Sequence, residues 1–394
     1  MSRNIVLCCD GTANEFTVNR TNVVKLYYAL ALNDPNRQIA YYHPGLGTME
    51  PAGALTDIGR RTTMLLGKAF GYGLSADIRD AYVYLMNRFE SGDRVFLFGF
   101  SRGAYTARSV ASLLRMYGLL ARGNEPLVPY AIRMLRAINK LDERTRGDGK
   151  RAHKAKAARN QYFRLASQFR KTFSAHDCRP WFVGVWDTVS SVGWIGNPLK
   201  LPYTADNAHI EIGRHAISID ERRALFRPNL WYLRRRPPQS GPKDLKQVWF
   251  PGVHSDVGGG YPESESGLAK VALEWMLQEA RHAGLIVDPL RMARVLGQVG
   301  GGYSQPDPRA NMHESLKGLW LLAEFLPKQR YDPALRKNRS RFNLGARRVI
   351  PAGSCIHDAA YQRGTQYNAR FPVDAVRTWT LPDPGAAVTA HQAS

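Results

Sequence analysis

Short runs of consecutive apolar residues alternate along this chain with stretches where apolar positions recur every three or four residues. The first run, Ile5–Cys9, ends at Asp10-Gly11-Thr12 and predicts a buried strand breaking into a turn. Across Asn22–Leu32, residues Val23, Val24, Leu26, Tyr27 and Leu30 share one helical face. Ile39–Tyr42 predicts a second strand, stopped by His43-Pro44-Gly45. A Gly-containing segment, Leu65–Leu74, then leads into helical spacing over Ile78–Asn87. Gly92-Asp93 reads as a turn before Arg94–Phe98, a run apolar on both faces, as expected of a central parallel strand sandwiched between helices. A helix is expected from about Ala104 to Gly118. Trp181–Trp186 and Gln247–Phe250 predict further strands, Ala216–Arg223 a helix, Arg234–Lys243 a loop and Leu268–Ala283 an amphipathic helix. The alternation predicts an α/β fold with a mostly parallel central sheet and helices on both faces.

One segment breaks the rhythm. Leu119–Phe173 holds Pro126 and Pro129, then a basic stretch that is polar throughout its centre, Thr145–Lys156. It is read as an insertion of one or two helices, a cap candidate within a single catalytic domain over residues 1–382. The tail, 383–394, is Ala/Pro/Gly-rich and expected to be disordered.

Charge sharpens this picture. The 394 residues carry a formal net charge of +22, and thirteen Lys or Arg against three acids fall between Ala131 and Lys171. Such an excess suits contact with an anionic membrane surface, or simply a solvated basic face. No zinc-finger spacing, RNP pattern or basic-zipper arrangement accompanies it, so no nucleic-acid partner is expected. A 44% hydrophobic content supports a sizeable core. No apolar run reaches the roughly 18–20 residues of a membrane span. The start, MSRNIVLCCDGT, lacks the apolar core of a signal peptide. The expected location is therefore cytoplasmic, or outside by a route that needs no cleaved signal. Cys8 and Cys9 are adjacent in a strand and point to opposite faces, which predicts buried thiols rather than a disulfide or metal site.

The chemistry concentrates after the most apolar strand. Gly99-Phe100-Ser101-Arg102-Gly103 follows it directly and opens a helix, the nucleophile-elbow pattern in which flanking glycines permit a sharp turn that projects the serine. The plainer reading makes Ser101 a helix cap. A serine nucleophile needs a base and an orienting acid, in the order Ser, acid, His for this arrangement. Asp187 ends the strand Trp181–Trp186, and His254 follows Gln247–Phe250. C-terminal strand ends are where active sites of parallel sheets form. Asp256 rivals Asp187, although a carboxylate two residues from His254 is expected to bond the local turn. His357 is the second choice of base, while His43, His209 and His215 are read as structural or exposed. For an oxyanion hole the backbone amides of Arg102 and of Gly11 and Thr12 are the expected donors. No metal or organic cofactor is implied.

These residues sit in long motifs: CCDGTANEF, NVVKLYYAL, YYHPGLGT, DIRDAYVYLMNRFESGDRVFLFGFSRGAYTAR, FVGVWDTVSSVG, VWFPGVHSDVGGGY and GLWLLAEFLP. Together they resemble a family of α/β-hydrolase-like proteins of bacteria and fungi, long labelled a domain of unknown function. Its best-understood members are type VI secretion phospholipase effectors. The resemblance implies the triad Ser101, Asp187 and His254. It departs from the family at Ala13, where glycine is usual, and in the basic segment Arg144–Lys156. The expected function is hydrolysis of carboxylic esters, with lipid or phospholipid acyl chains as substrates. A soluble esterase or thioesterase for small substrates, and a non-catalytic lipid- or anion-binding protein, are the alternatives.

Overall fold

The computed structural model describes residues 2–11, 19–45, 70–144, 149–189, 193–194, 197–198, 201–232, 241–318, 320–321, 324–325, 328–332 and 337–384. Its frame is one sheet of eight strands, which in chain order are β1 (Asn4–Cys9), β2 (Gln38–His43), β3 (Arg94–Phe100), β4 (Pro180–Trp186), β5 (Ile212–Ser218), β6 (Asp244–Phe250), β7 (Cys355–His357) and β8 (Val376–Thr378). They lie side by side as β8-β7-β6-β5-β4-β3-β1-β2. Every neighbouring pair is parallel. All C-terminal ends therefore open on one edge.

The central strands are buried on both faces, and their alternation feeds two cores. Ile5, Leu7, Val95 and Leu97 belong to one, Val6, Cys8, Phe96 and Phe98 to the other. Cys9 joins the first core and Cys8 the second, both as buried free thiols. The first core is closed by α2 (Phe70–Arg88) and α3 (Arg102–Tyr117), the second by α1 (Asn22–Ala29) and α7 (Gly267–His282). Truncating one of these packed aromatics, such as Phe98, removes contacts on every side and costs about 3–5 kcal/mol. Helix α1 is capped by Thr21 Oγ1, which accepts from Val24 N. Helix α3 stops at Gly118, whose φ of 66° ends the helix while its N–H still bonds Leu114 O.

One expected helix is a strand. Residues 216–218 of the predicted helix Ala216–Arg223 lie in β5, which pairs with β4 on one side and β6 on the other. Ala216, Ile217, Ser218 and Ile219 are all buried, and Ala216 and Ile217 belong to different cores. Burial on both faces erases the period-two signal that would have marked a strand.

The basic segment forms α4 (Val128–Arg144) and α5 (Lys150–Phe173), packed on each other and against α3. Its two ends join at the edge of the sheet opposite the C-terminal strand ends. Leu119–Leu120 pairs antiparallel with Ser174–His176, and Phe89, just before β3, packs its ring 5.5 Å from His176. The reason is helix direction: α3 starts at the C-terminal edge and runs back about 24 Å before the insertion begins. From that base α4 climbs alongside α3, bringing Arg136 beside Tyr105, one turn after Ser101. Residues 145–148, in the centre of the basic stretch, lie outside the described residues, as do most of the loop 234–243 and the tail from 385.

Candidate active site

Ser101 leaves β3 with φ 57° and ψ −115°, a backbone geometry that L-residues rarely adopt. Its side chain makes no cap hydrogen bond, so the helix-cap reading finds no support. The turn is this tight because of its glycines. A Cβ on Gly99 would overlap the Gly103 carbonyl, and one on Gly103 would overlap the Cys9 carbonyl at the end of β1. Ser101 N–H donates to Trp186 O at 3.1 Å, which fixes the elbow to the last residue of β4.

Asp187 follows Trp186 and also takes a positive φ, 37°. Two residues proposed for chemistry thus carry strained backbone at adjacent strand ends, which is where such strain concentrates. The Asp187 carboxylate is fully buried, and Oδ1 accepts from Ser218 N at 3.0 Å. Oδ2 lies 2.5 Å from Nδ1 of His254. His254 opens a short helix, α6 (His254–Gly258), after the turn at Gly252, φ 100°. Its imidazole sits between two rings, Phe100 at 4.6 Å and Phe226 at 4.8 Å between centroids. Phe100 is the residue before Ser101, so the aromatic contact and the Trp186 hydrogen bond join the elbow to the Asp–His pair. A direct Ser101–His254 hydrogen bond is not among these contacts.

The electrostatics follow from burial. Desolvation pushes the Asp187 carboxyl up, but the Arg348 charge and the His254 hydrogen bond outweigh it and hold the group well below the usual carboxylate range. Burial lowers His254, opposed by its bond to Asp187, and the net direction is down. An imidazole kept neutral is what a general base requires.

The rivals are occupied elsewhere. Asp256 Oδ2 accepts from Val253 N at 2.9 Å and His313 N at 3.1 Å, and Oδ1 pairs with His313 Nδ1 at 2.6 Å. It shapes the turn that carries His254. His357 stacks 4.6 Å from Phe250, caps a short helix through Ala359 N and is pushed down to about 4 by burial. His215 is buried, accepts from Thr188 N at 3.1 Å, and is pushed down to about 3.

Of the expected oxyanion donors, Arg102 opens α3, where amides point out of the helix end. The Gly11 amide does not match its expectation: it donates to Asp10 Oδ1 at 2.7 Å. Thr12 lies outside the described residues. Asp10 itself is tied to Thr21 Oγ1 at 2.5 Å and to the Tyr42 hydroxyl at 2.9 Å, so the loop after β1 is anchored at its root. Among the described residues no cluster of three or more potential ligands could hold a metal ion.

Four contributors have no sequence motif: Ser218, Phe226, the Glu221–Arg223 pair and Arg348. Glu221 Oε2 accepts from His254 N at 3.3 Å, and Arg223 lies 3.5 Å from the Phe226 ring centroid.

Residues 3–279 match the family described as T6SS, phospholipase effector Tle1-like, catalytic domain. The chain belongs to that family. The matched span contains Ser101, Asp187 and His254, but not His313 or Arg348. An uncharacterized protein of Saccharomyces cerevisiae, YEL023C, is 37% identical over 233 residues, covering 57% of this chain and 32% of that protein. The chain thus spans about a third of the length of this curated relative. A crystal structure of an uncharacterized protein from Pseudomonas aeruginosa aligns with a TM-score of 0.42 and 20% identity, over 74% of this chain and 48% of the other. No helix among the described residues is long and apolar enough to cross a membrane.

Proposed function

We propose that this protein is a serine hydrolase of carboxylic esters that acts on lipid or phospholipid acyl chains through Ser101, His254 and Asp187. The observation that carries the reading is the buried 2.5 Å Asp187–His254 contact beside a serine held at positive φ on a strand-to-helix turn. The family's phospholipase description supports the lipid ester as substrate.

In this reading His254 Nε2 takes the Ser101 proton as Oγ attacks the acyl carbonyl carbon. Asp187 holds Nδ1–H, which fixes the tautomer and stabilises the imidazolium that forms. The Arg102 amide and an amide of the loop after β1, at Thr12, receive the oxyanion. The tetrahedral intermediate collapses as His254 returns the proton to the leaving alcohol oxygen. Water then repeats the sequence on the acyl-enzyme and frees the fatty acid and Ser101. No metal or organic cofactor enters these steps. The basic hairpin of α4 and α5 supplies peripheral contact with an anionic membrane surface.

Covalent labelling by a fluorophosphonate probe tests the reading. Wild type labels and Ser101→Ala does not, with hydrolysis of a phospholipid in mixed micelles lost in parallel. Equal labelling of the two proteins would remove Ser101 from the mechanism.

A further inference from the structure

The Asp187 carboxylate has a second charged partner, and it comes from outside the family-matched span. Arg348 Nη1 donates to Asp187 Oδ1 at 2.6 Å and Nη2 to Oδ2 at 3.1 Å. The guanidinium is itself seated. Nη1 also meets Ser218 Oγ at 2.7 Å and Ser218 O at 3.0 Å, and Nη2 donates to Phe226 O. The Arg348 side chain is 6% exposed and that of Asp187 not at all. Two parallel N–H···O bonds from a planar fork set the plane of a carboxylate as well as its position. The carboxylate so held presents Oδ2 to His254 Nδ1 at 2.5 Å.

We propose that Arg348 is a positioning residue of the active site, which fixes the Asp187 carboxylate for His254. The inference rests on the serine-hydrolase reading above and adds a fourth member to its machinery. It also makes the segment after residue 279 part of the active site.

The charge argument has a definite sign. Arg348 cancels part of the Asp187 charge that would otherwise favour protonated His254. Of the other charged groups facing the pair, Glu221 and Arg223 form their own ion pair beside His254, at 2.8 Å. Behind Asp187, His215 is held neutral, and Arg108 donates to the Thr204 and Asn229 carbonyls. Removing Arg348 therefore leaves Asp187 acting on His254 with its full charge. A guanidinium that served folding alone would leave the titration of His254 where it is.

The experiment follows kcat and KM for a short soluble ester against pH in full-length wild type, Arg348→Gln and Arg348→Lys, with the His254 ring titration read by NMR. Arg348→Gln is expected to lose about 10²-fold in kcat at nearly constant KM, and to move the acid limb and the His254 midpoint up by about one unit. Arg348→Lys keeps the charge but not the fork, so kcat falls while both midpoints stay at the wild-type value. A folded Arg348→Gln with an unshifted His254 midpoint overturns the inference. Should Arg348→Gln not fold, Arg348→Lys decides it, because undiminished kcat in that variant is equally fatal. A wild type without esterase activity refutes the hydrolase reading, whereas the NMR titration still reads the effect of Arg348 on His254.

Discussion

His254 Nδ1 and Asp187 Oδ2 lie 2.5 Å apart in a site from which both side chains are almost wholly withdrawn from solvent. The contact is made by residues 67 positions apart, brought together because β4 and β6 end on the same edge with only β5 between them. β5 supplies Ser218, which braces the carboxylate from behind.

Asp187→Asn should lose about 10⁴-fold in kcat, because an amide can present the wrong hydrogen-bonding face to the imidazole. It should also cost stability, since Arg348 is left buried without a counter-charge, at about 3–5 kcal/mol. The double variant Asp187→Asn/Arg348→Gln should regain much of that stability and none of the activity. Denaturant midpoints and turnover on the same preparations check both halves, and a double variant less stable than Asp187→Asn contradicts the charge argument.

The elbow makes the opposite prediction. In the proposed mechanism Ser101 contributes chemistry, while its backbone at φ 57° opposes folding. Ser101→Gly relieves that strain and should raise stability by about 1 kcal/mol while abolishing activity. Ser101→Ala keeps the strained conformation and should remain near wild-type stability. Equal unfolding midpoints for the glycine and alanine variants would show that the turn stores no strain.

Much of this arrangement was legible beforehand, and the exceptions have physical causes. β1, β3, β4 and β6 announce themselves as apolar runs ending in Asp10, Ser101, Asp187 and the His254 turn, since strand ends and chemistry coincide in parallel sheets. β5 was hidden because His215-Ala216-Ile217-Ser218 is buried throughout, so polar residues no longer mark a solvent face. Arg348 was hidden for another reason. It follows Arg347 in a segment with no recognisable motif, and only the tertiary fold shows that its side chain is buried against a carboxylate. The placement of the insertion follows from direction: an elbow serine is followed by a helix that leads away from the C-terminal edge, so a segment inserted after that helix starts at the opposite one.

A second His–carboxylate cluster predicts a stability change on the alkaline side. His313 pairs with Asp256 at 2.6 Å and Glu265 at 2.8 Å, and its ring stacks 3.6 Å from that of Tyr261. Burial lowers the His313 ring, but its bonds to Glu265 and Asp256 outweigh this and raise it above the ordinary value. A histidine raised in the folded state gives its full stabilisation below about pH 6.5, the unfolded value, and loses it as pH climbs through the folded one. Thermal midpoints of wild type should therefore fall from pH 6.5 towards 8.5 more steeply than those of His313→Gln. Parallel curves would mean that this cluster does not couple protonation to the fold.

The last prediction concerns the basic hairpin. Helix α5 carries eight Lys or Arg and no carboxylate, and Lys154, Lys156, Arg164 and Lys171 are exposed along it. The base of the hairpin stands at the edge opposite the active site, while α4 climbs towards the catalytic edge beside Tyr105. Contact with an anionic surface in this reading uses the exposed flank of α5, not a lid hinged at the rim. Each cation near such a surface is worth about 1 kcal/mol, screened over roughly 8–10 Å at moderate salt. Replacing Lys150, Lys154, Lys156 and Lys171 by Gln should weaken binding to vesicles containing phosphatidylserine by about two to three orders of magnitude, at about 1.4 kcal/mol per tenfold. The salt dependence of binding should flatten with it. Hydrolysis of a short soluble ester should stay unchanged, because none of the four lysines approaches Ser101, Asp187 or His254 in the contacts of the site. Unaltered vesicle binding by the quadruple variant would leave α5 a solvated helix whose charge serves solubility alone.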